Sequence, residues 1–135
     1  MIEIDDSNIK INGNDHMINI SGDGGGALLY IHNGGRVNIY KGVLKLTGSG
    51  NERGIYIVSD GGFSQTNARI SFDDLNTAVQ VGTNSVFYSD ALYGTVTNGI
   101  VAINGGVVTY DTNNISASTA VTTNSGGRVY SGSQE

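Results

Sequence analysis

Cysteine is absent from the 135 residues, so the chain has neither a disulfide framework nor a thiolate metal site. Proline is absent too, which sets aside collagen and polyproline geometry even though glycine supplies 21 residues. Basic charge is scarce: 7 lysines and arginines stand against 12 aspartates and glutamates, a net charge of −5. Nucleic acids and anionic membrane surfaces are bound mainly through basic charge, so neither is an expected partner. No apolar run approaches the roughly 18 residues that cross a bilayer, and membrane insertion is not expected. The opening MIEIDDSNIK is acidic and lacks the charged-then-apolar layout of an export signal, which an exported chain would then draw from elsewhere or do without.

What is present is repetition. In Gly54–Phe72, Ile55 and Ile57 flank Tyr56, a Ser-Asp-Gly-Gly corner follows, and Phe63, Ile70 and Phe72 come next. The same layout aligns the whole chain into five apolar columns. The first holds Leu29, Ile55, Val79, Ile100 and Val121, and the second Ile31, Ile57, Val81, Ala102 and Thr123. The third holds Ile11, Val37, Phe63, Phe87, Val108 and Val129. The fourth holds Ile18, Leu44, Ile70, Gly94 and Ile115, and the fifth Ile20, Leu46, Phe72, Val96 and Ala117. Spacing of two within each segment is the β period. Length varies mainly before the first column, where GDGGGA and TGSGNERG shrink to TN and ST. After the second column comes a corner rich in Gly, Asn and Asp: Gly34, Asp60, Asn84, Gly105 and Gly126, each followed by Gly or Ser. These residues tolerate positive φ best, and a left-handed bend is expected there in every repeat, Gly61 included.

Three strands per repeat joined by tight bends describe a triangular coil. The expected fold is all-β, a right-handed parallel β-helix of about five three-stranded coils, formed by one domain over residues 1–135. Residues 1–8 are a possible cap holding a short strand at Ile2 and Ile4, 9–131 the coils and 132–135 a tail. Strands are expected near 9–11, 17–20, 27–31, 36–39, 43–46, 54–58, 69–72, 78–81, 100–103, 107–110, 114–117 and 120–123.

The stretch SNIKINGNDHMINISGDGGGALLYIHNGGRVNIYKGVLKLTGSGNERGIYIVSDGG resembles the passenger β-helices of bacterial autotransporters of the pertactin and AIDA-like kind. The likeness rests on their glycine, apolar-aromatic-apolar, Gly-Gly, apolar pattern and covers roughly residues 8 to 131. It implies a non-enzymatic module at the bacterial cell surface or outside the cell. Such a module presents a binding face to a host-cell surface protein or glycan and works as a monomer. Phage tailspikes share the architecture. They are the rival, implying a homotrimer on a virion tail that binds or cleaves a surface polysaccharide.

No catalytic constellation is expected. Asp5-Asp6 and Asp73-Asp74 are adjacent, and neighbours on a strand face opposite sides. Asp60, Asp90 and Asp111 can approach one another on one side of the coil, as a glycoside-cleaving pair would require, yet solvated corners explain them as well. A lyase would need a basic residue such as Lys41, Lys45 or Arg69 beside calcium, and no acidic trio accompanies them. The glycine runs at 22–26 and 48–50 precede strands rather than a helix, which a phosphate cradle needs. His16 and His32 lack a ligand partner, so neither metal nor cofactor is expected. The binding candidates are Tyr30 and Tyr56, which share an outward column, with Asp23, Asn51 and Arg53 on the neighbouring loops.

Overall fold

The structure, a computed structural model, describes residues 1–132 and is all-β. The strands are β1 (Ile2–Asp5), β2 (Asn8–Asn12), β3 (Met17–Ser21), β4 (Ala27–His32), β5 (Arg36–Tyr40) and β6 (Val43–Thr47). They continue as β7 (Arg53–Ile57), β8 (Gly62–Thr66), β9 (Ile70–Val81), β10 (Val86–Ala102), β11 (Val107–Thr123) and β12 (Arg128–Ser131). Every pairing is parallel, and each strand pairs with the equivalent segment of the next turn. The chain is therefore a β-solenoid of about five turns with three flat faces. The first face stacks β1, β4, β7 and the ends of β9, β10 and β11. The second stacks β2, β5, β8, the starts of β10 and β11, and β12. The third stacks β3, β6, the start of β9 and the middles of β10 and β11. Coiling lets strands run parallel without crossover helices.

Alternation decides which side chains enter the coil. In β5 the exposed residues Arg36, Asn38 and Tyr40 alternate with buried Val37 and Ile39. Inward side chains then stack on their own kind one turn away: Leu29, Ile55 and Val79 are partners, and the Phe63 and Phe87 rings lie parallel at 5.1 Å. Burying each such side chain contributes about 1.5–3 kcal/mol before chain entropy is subtracted.

Three details of the sequence reading are corrected. The first column begins at Ile2, which pairs with Leu29, so residues 2–5 form a strand of a complete turn. In the third column Val37 is preceded by Ile9 and not Ile11, which pairs with Ile39. In the fourth, Ile70 is followed by Leu92, fully buried, while Gly94 lies beside Phe72. The cause of the last is a shorter corner: Phe63 to Ile70 spans seven residues and Phe87 to Leu92 only five, so a constant spacing overshoots by two. Val96 in turn pairs with Leu75 and not Phe72, past a bulge at Asp74, φ 56°.

The corners match expectation at Gly34, Asp60, Asn84, Gly105 and Gly126, which all have positive φ, and differ at the residues on either side. In five turns the first-to-second-face corner carries two successive positive-φ residues: Asn33–Gly34, Ser59–Asp60, Thr83–Asn84, Asn104–Gly105 and Ser125–Gly126. Each is closed by an N–H···O bond from the fourth residue to the first, such as Gly35 to His32 at 2.9 Å, the pattern of a type I′ turn. Gly61 does not have positive φ. It is glycine because a Cβ there would lie 2.9 Å from the Ile31 carbonyl oxygen of the preceding turn.

Candidate functional site

The two loops singled out from sequence meet on one edge of the coil, and Glu52 joins them. Its carboxylate is buried, with Oε1 accepting from the Ser49 N–H at 2.6 Å and Oε2 from the Gly25 N–H at 2.9 Å and Ser49 Oγ at 2.9 Å. These bonds, from Ser49 and then Gly25, hold its pKa down to about 2 against the opposing effect of burial. The sequence reading missed Glu52. The signal was Ser49-x-x-Glu52, the spacing at which a Glu reaches back to a Ser backbone N–H at a helix start, here used without a helix.

Beside the loops, Tyr30 and Tyr56 stack at 5.4 Å as the outward column implies. They belong to a longer chain of contacts. His32 stacks on Tyr30 at 4.3 Å and its Nε2 is 2.7 Å from Glu3 Oε2. Arg53 sits 4.9 Å from the Tyr56 ring centre, and its Nε donates to Gln80 Oε1 at 2.8 Å. Both tyrosines and Arg53 are half-buried, while Asp23 and Asn51 are exposed on the loop tips. The ring faces that a sugar would stack on are thus occupied by neighbours in the same wall.

Asp90 and Asp111 come together on another edge, and Asp60 does not join them. Tyr88 Oη donates to Asp90 Oδ1 at 2.6 Å and lies 3.1 Å from Asp111 Oδ2. The hydrogen bond to Asp90 first, then burial and Asp111, push the phenol well above its ordinary pKa. Asp90 Oδ2 also accepts from the Asn67 N–H at 2.6 Å, so both its oxygens hold the corner in place. Asp60 sits in the type I′ corner, where its N–H donates to the Thr83 carbonyl at 3.1 Å.

A groove of about 300 Å³ follows the corner between the second and third faces, lined by Asp15, Lys41, Asn67, Arg69 and Tyr93 among others. Lys41 and Arg69 lie on successive turns and neither is in an ion pair, the only one among the described residues being His32 with Glu3; Asp15 is the one carboxylate in the same lining. Tyr93 is exposed in its lining, and Tyr40, exposed outside it, has the Lys41 ammonium 5.4 Å from its ring centre. The floor is rigid. Gln65, fully buried, donates through Nε2 to the Gly42 carbonyl at 3.0 Å and the Arg69 carbonyl at 2.8 Å, and accepts from Ser89 Oγ at 2.9 Å.

No protein-family model, curated protein or solved structure matches the chain. The site is therefore read from its own chemistry. Among the described residues no three His, Asp or Glu side chains lie together in a metal-holding group. The groove offers two cations, one carboxylate, an amide and the Tyr93 phenol ring. That set can hold an anionic, ring-shaped ligand by charge-assisted hydrogen bonds and stacking.

Proposed function

We propose that the chain is a non-catalytic, surface-exposed β-solenoid module that binds an acidic glycan along the Lys41–Arg69 groove. This places it with adhesins and autotransporter passengers in role, outside the cell or on the bacterial surface. The observation that carries the reading is the backbone of Lys41, whose φ of 57° is left-handed. The equivalent residue one turn on is Asn67, φ 59°, the kind of residue that suits such a corner. A lysine there costs about 1 kcal/mol, and strain of this kind persists where a side chain is needed for something other than the fold. What the strain provides is an ammonium group in no ion pair, one of two cations set against the single carboxylate, Asp15, that lines the groove.

Lys41→Asn separates binding from folding. The variant is expected to be as stable as the parent or slightly more so, and to lose about tenfold in affinity for carboxylated oligosaccharides. Titration with alginate and hyaluronan fragments, with maltooligosaccharides as neutral controls, measures this at low and high salt. Preference for neutral sugars, or binding that survives both Lys41→Asn and Arg69→Ala, defeats the reading. Shortened products released from the glycan would instead favour a cleaving tailspike, as would a trimer in solution.

A further inference from the structure

On the reading of the Lys41–Arg69 groove as an acidic-glycan site, we infer that its ligand alternates. A uronate in the groove is followed by an uncharged, N-acetylated sugar held in a second trough on the neighbouring face. That trough lies on the second face, measures about 470 Å³ and is lined by Lys10, Asn12, Asn38, Tyr40, Ser64 and Thr66 among others. The register explains why it is there. One outward column runs Lys10, Asn38, Ser64, Tyr88, and the next runs Asn12, Tyr40, Thr66. Short side chains at Asn38, Ser64 and Thr66 sit among longer ones at Lys10, Tyr40 and Tyr88, and the wall dips between them.

Trough and groove share one ridge. Tyr40 and Thr66, partners on successive turns, line the trough, while the residues that follow them, Lys41 and Asn67, line the groove. A glycan leaving the groove across this corner therefore enters the trough. The chemistry changes at the ridge. On the groove side stand two cations and one carboxylate. On the trough side stand two amides, two aliphatic hydroxyls and a phenol ring, that of Tyr40, on a residue 45% exposed. Amides and hydroxyls both donate and accept, as the hydroxyl and acetamido groups of a neutral sugar do, and the exposed ring offers a stacking surface. These groups are not consumed by the fold. Tyr88 and Asp90 on the same face are tied to each other and to Asp111 and Asn67, whereas Asn38, Ser64 and Thr66 have no side-chain hydrogen bond among the described residues. The trough has no carboxylate, and its one cation, Lys10, is the partner of Asn38 on the turn before. Lys10 is thus set off from Lys41 by three residues of strand and one rung, roughly 10 Å by 5 Å. The uronate two sugars on meets this second cation.

Titration of the full 135-residue chain with hyaluronan and alginate fragments of equal sugar number reads this out. Every sugar of alginate carries a carboxylate, whereas in hyaluronan uronates alternate with N-acetylated sugars. Hyaluronan is expected to bind about tenfold tighter. The double variant Asn38→Ala with Thr66→Val alters only outward positions and is expected to bring that ratio to about one, with circular dichroism confirming the fold. Tyr40→Leu lowers it in the same direction. Should the double variant fold poorly, Ser64→Ala tests the same wall. Equal affinity of the parent chain for the two glycans overturns the inference and leaves the acidic-glycan reading standing. So does a preference for hyaluronan that survives the trough variants. If neither glycan binds, or neither responds to Lys41→Asn, the reading of the groove itself fails and the alternating ligand falls with it.

Discussion

At the scale of the residue, two positions carry more than their composition suggested. Glu52 ties two loops through its carboxylate, and because its pKa is depressed to about 2, folding favours the charged form. The contribution is therefore complete above the ordinary value of 4.5, declines as pH falls toward 2 and is gone below it. Hydrogen exchange at the Gly25 and Ser49 amides is expected to speed up across that interval. In Glu52→Gln it should be fast and pH-independent once corrected for intrinsic exchange, and an unchanged profile would mean the loops hold without the carboxylate. The second position is Gly61. Sequence placed the left-handed bend correctly at Gly34, Asp60, Asn84, Gly105 and Gly126, but extended it to Gly61, which lacks it, and missed that the residue before each shares it. Gly61→Ala is expected to cost about 1–3 kcal/mol by overpacking against the Ile31 carbonyl. Asp60→Gly, which relieves a φ of 66°, should be neutral or stabilising by denaturant melts. Equal effects at both positions would return the corner to an ordinary turn.

At the scale of the element, alternation made the strands legible, and the errors that remained share one cause. Slipping a strand by one residue reverses its faces and is easily noticed, whereas slipping it by two keeps every apolar side chain inward. Ile9 and Ile11 are both apolar, as are Leu92 and Val96, so the pattern alone fits either register. A corner two residues shorter between Phe87 and Leu92 then put Gly94 in a column it does not occupy. Leu92→Ala distinguishes the two registers. With Leu92 stacked on Ile70 and fully buried, the loss is about 2–5 kcal/mol, while the exposed neighbour Tyr93→Ala stays close to neutral. A near-neutral Leu92→Ala would restore Gly94 to the core. The groove was legible only in fragments. Lys41 and Arg69 are 28 positions apart in sequence, and nothing local shows that one turn of the coil sets them side by side.

At the scale of the whole molecule, repetition in sequence became repetition in space, and the acidic balance and missing cysteine left stability to stacking alone. The turns also shorten along the chain, from 28 residues between Ile9 and Val37 to 21 between Val108 and Val129. That gradient has a mechanical reading. The first strands and the last lie at opposite ends of the stack, so a pull on the two termini acts along the coil axis. Tension then meets the bonds of one turn at a time and peels the coil, instead of shearing many bonds together. Both end turns are largely exposed, and a peel that begins at the C-terminal one releases β12 and then β11. Each turn released there frees about 70 Å of slack, rising to about 95 Å at the N-terminal turns, for an extended chain of about 3.4 Å per residue. An optical-tweezers trace is expected to show this rising staircase, and a single rip of the full contour length would mean the turns let go together. A chain built this way lengthens under load in graded steps.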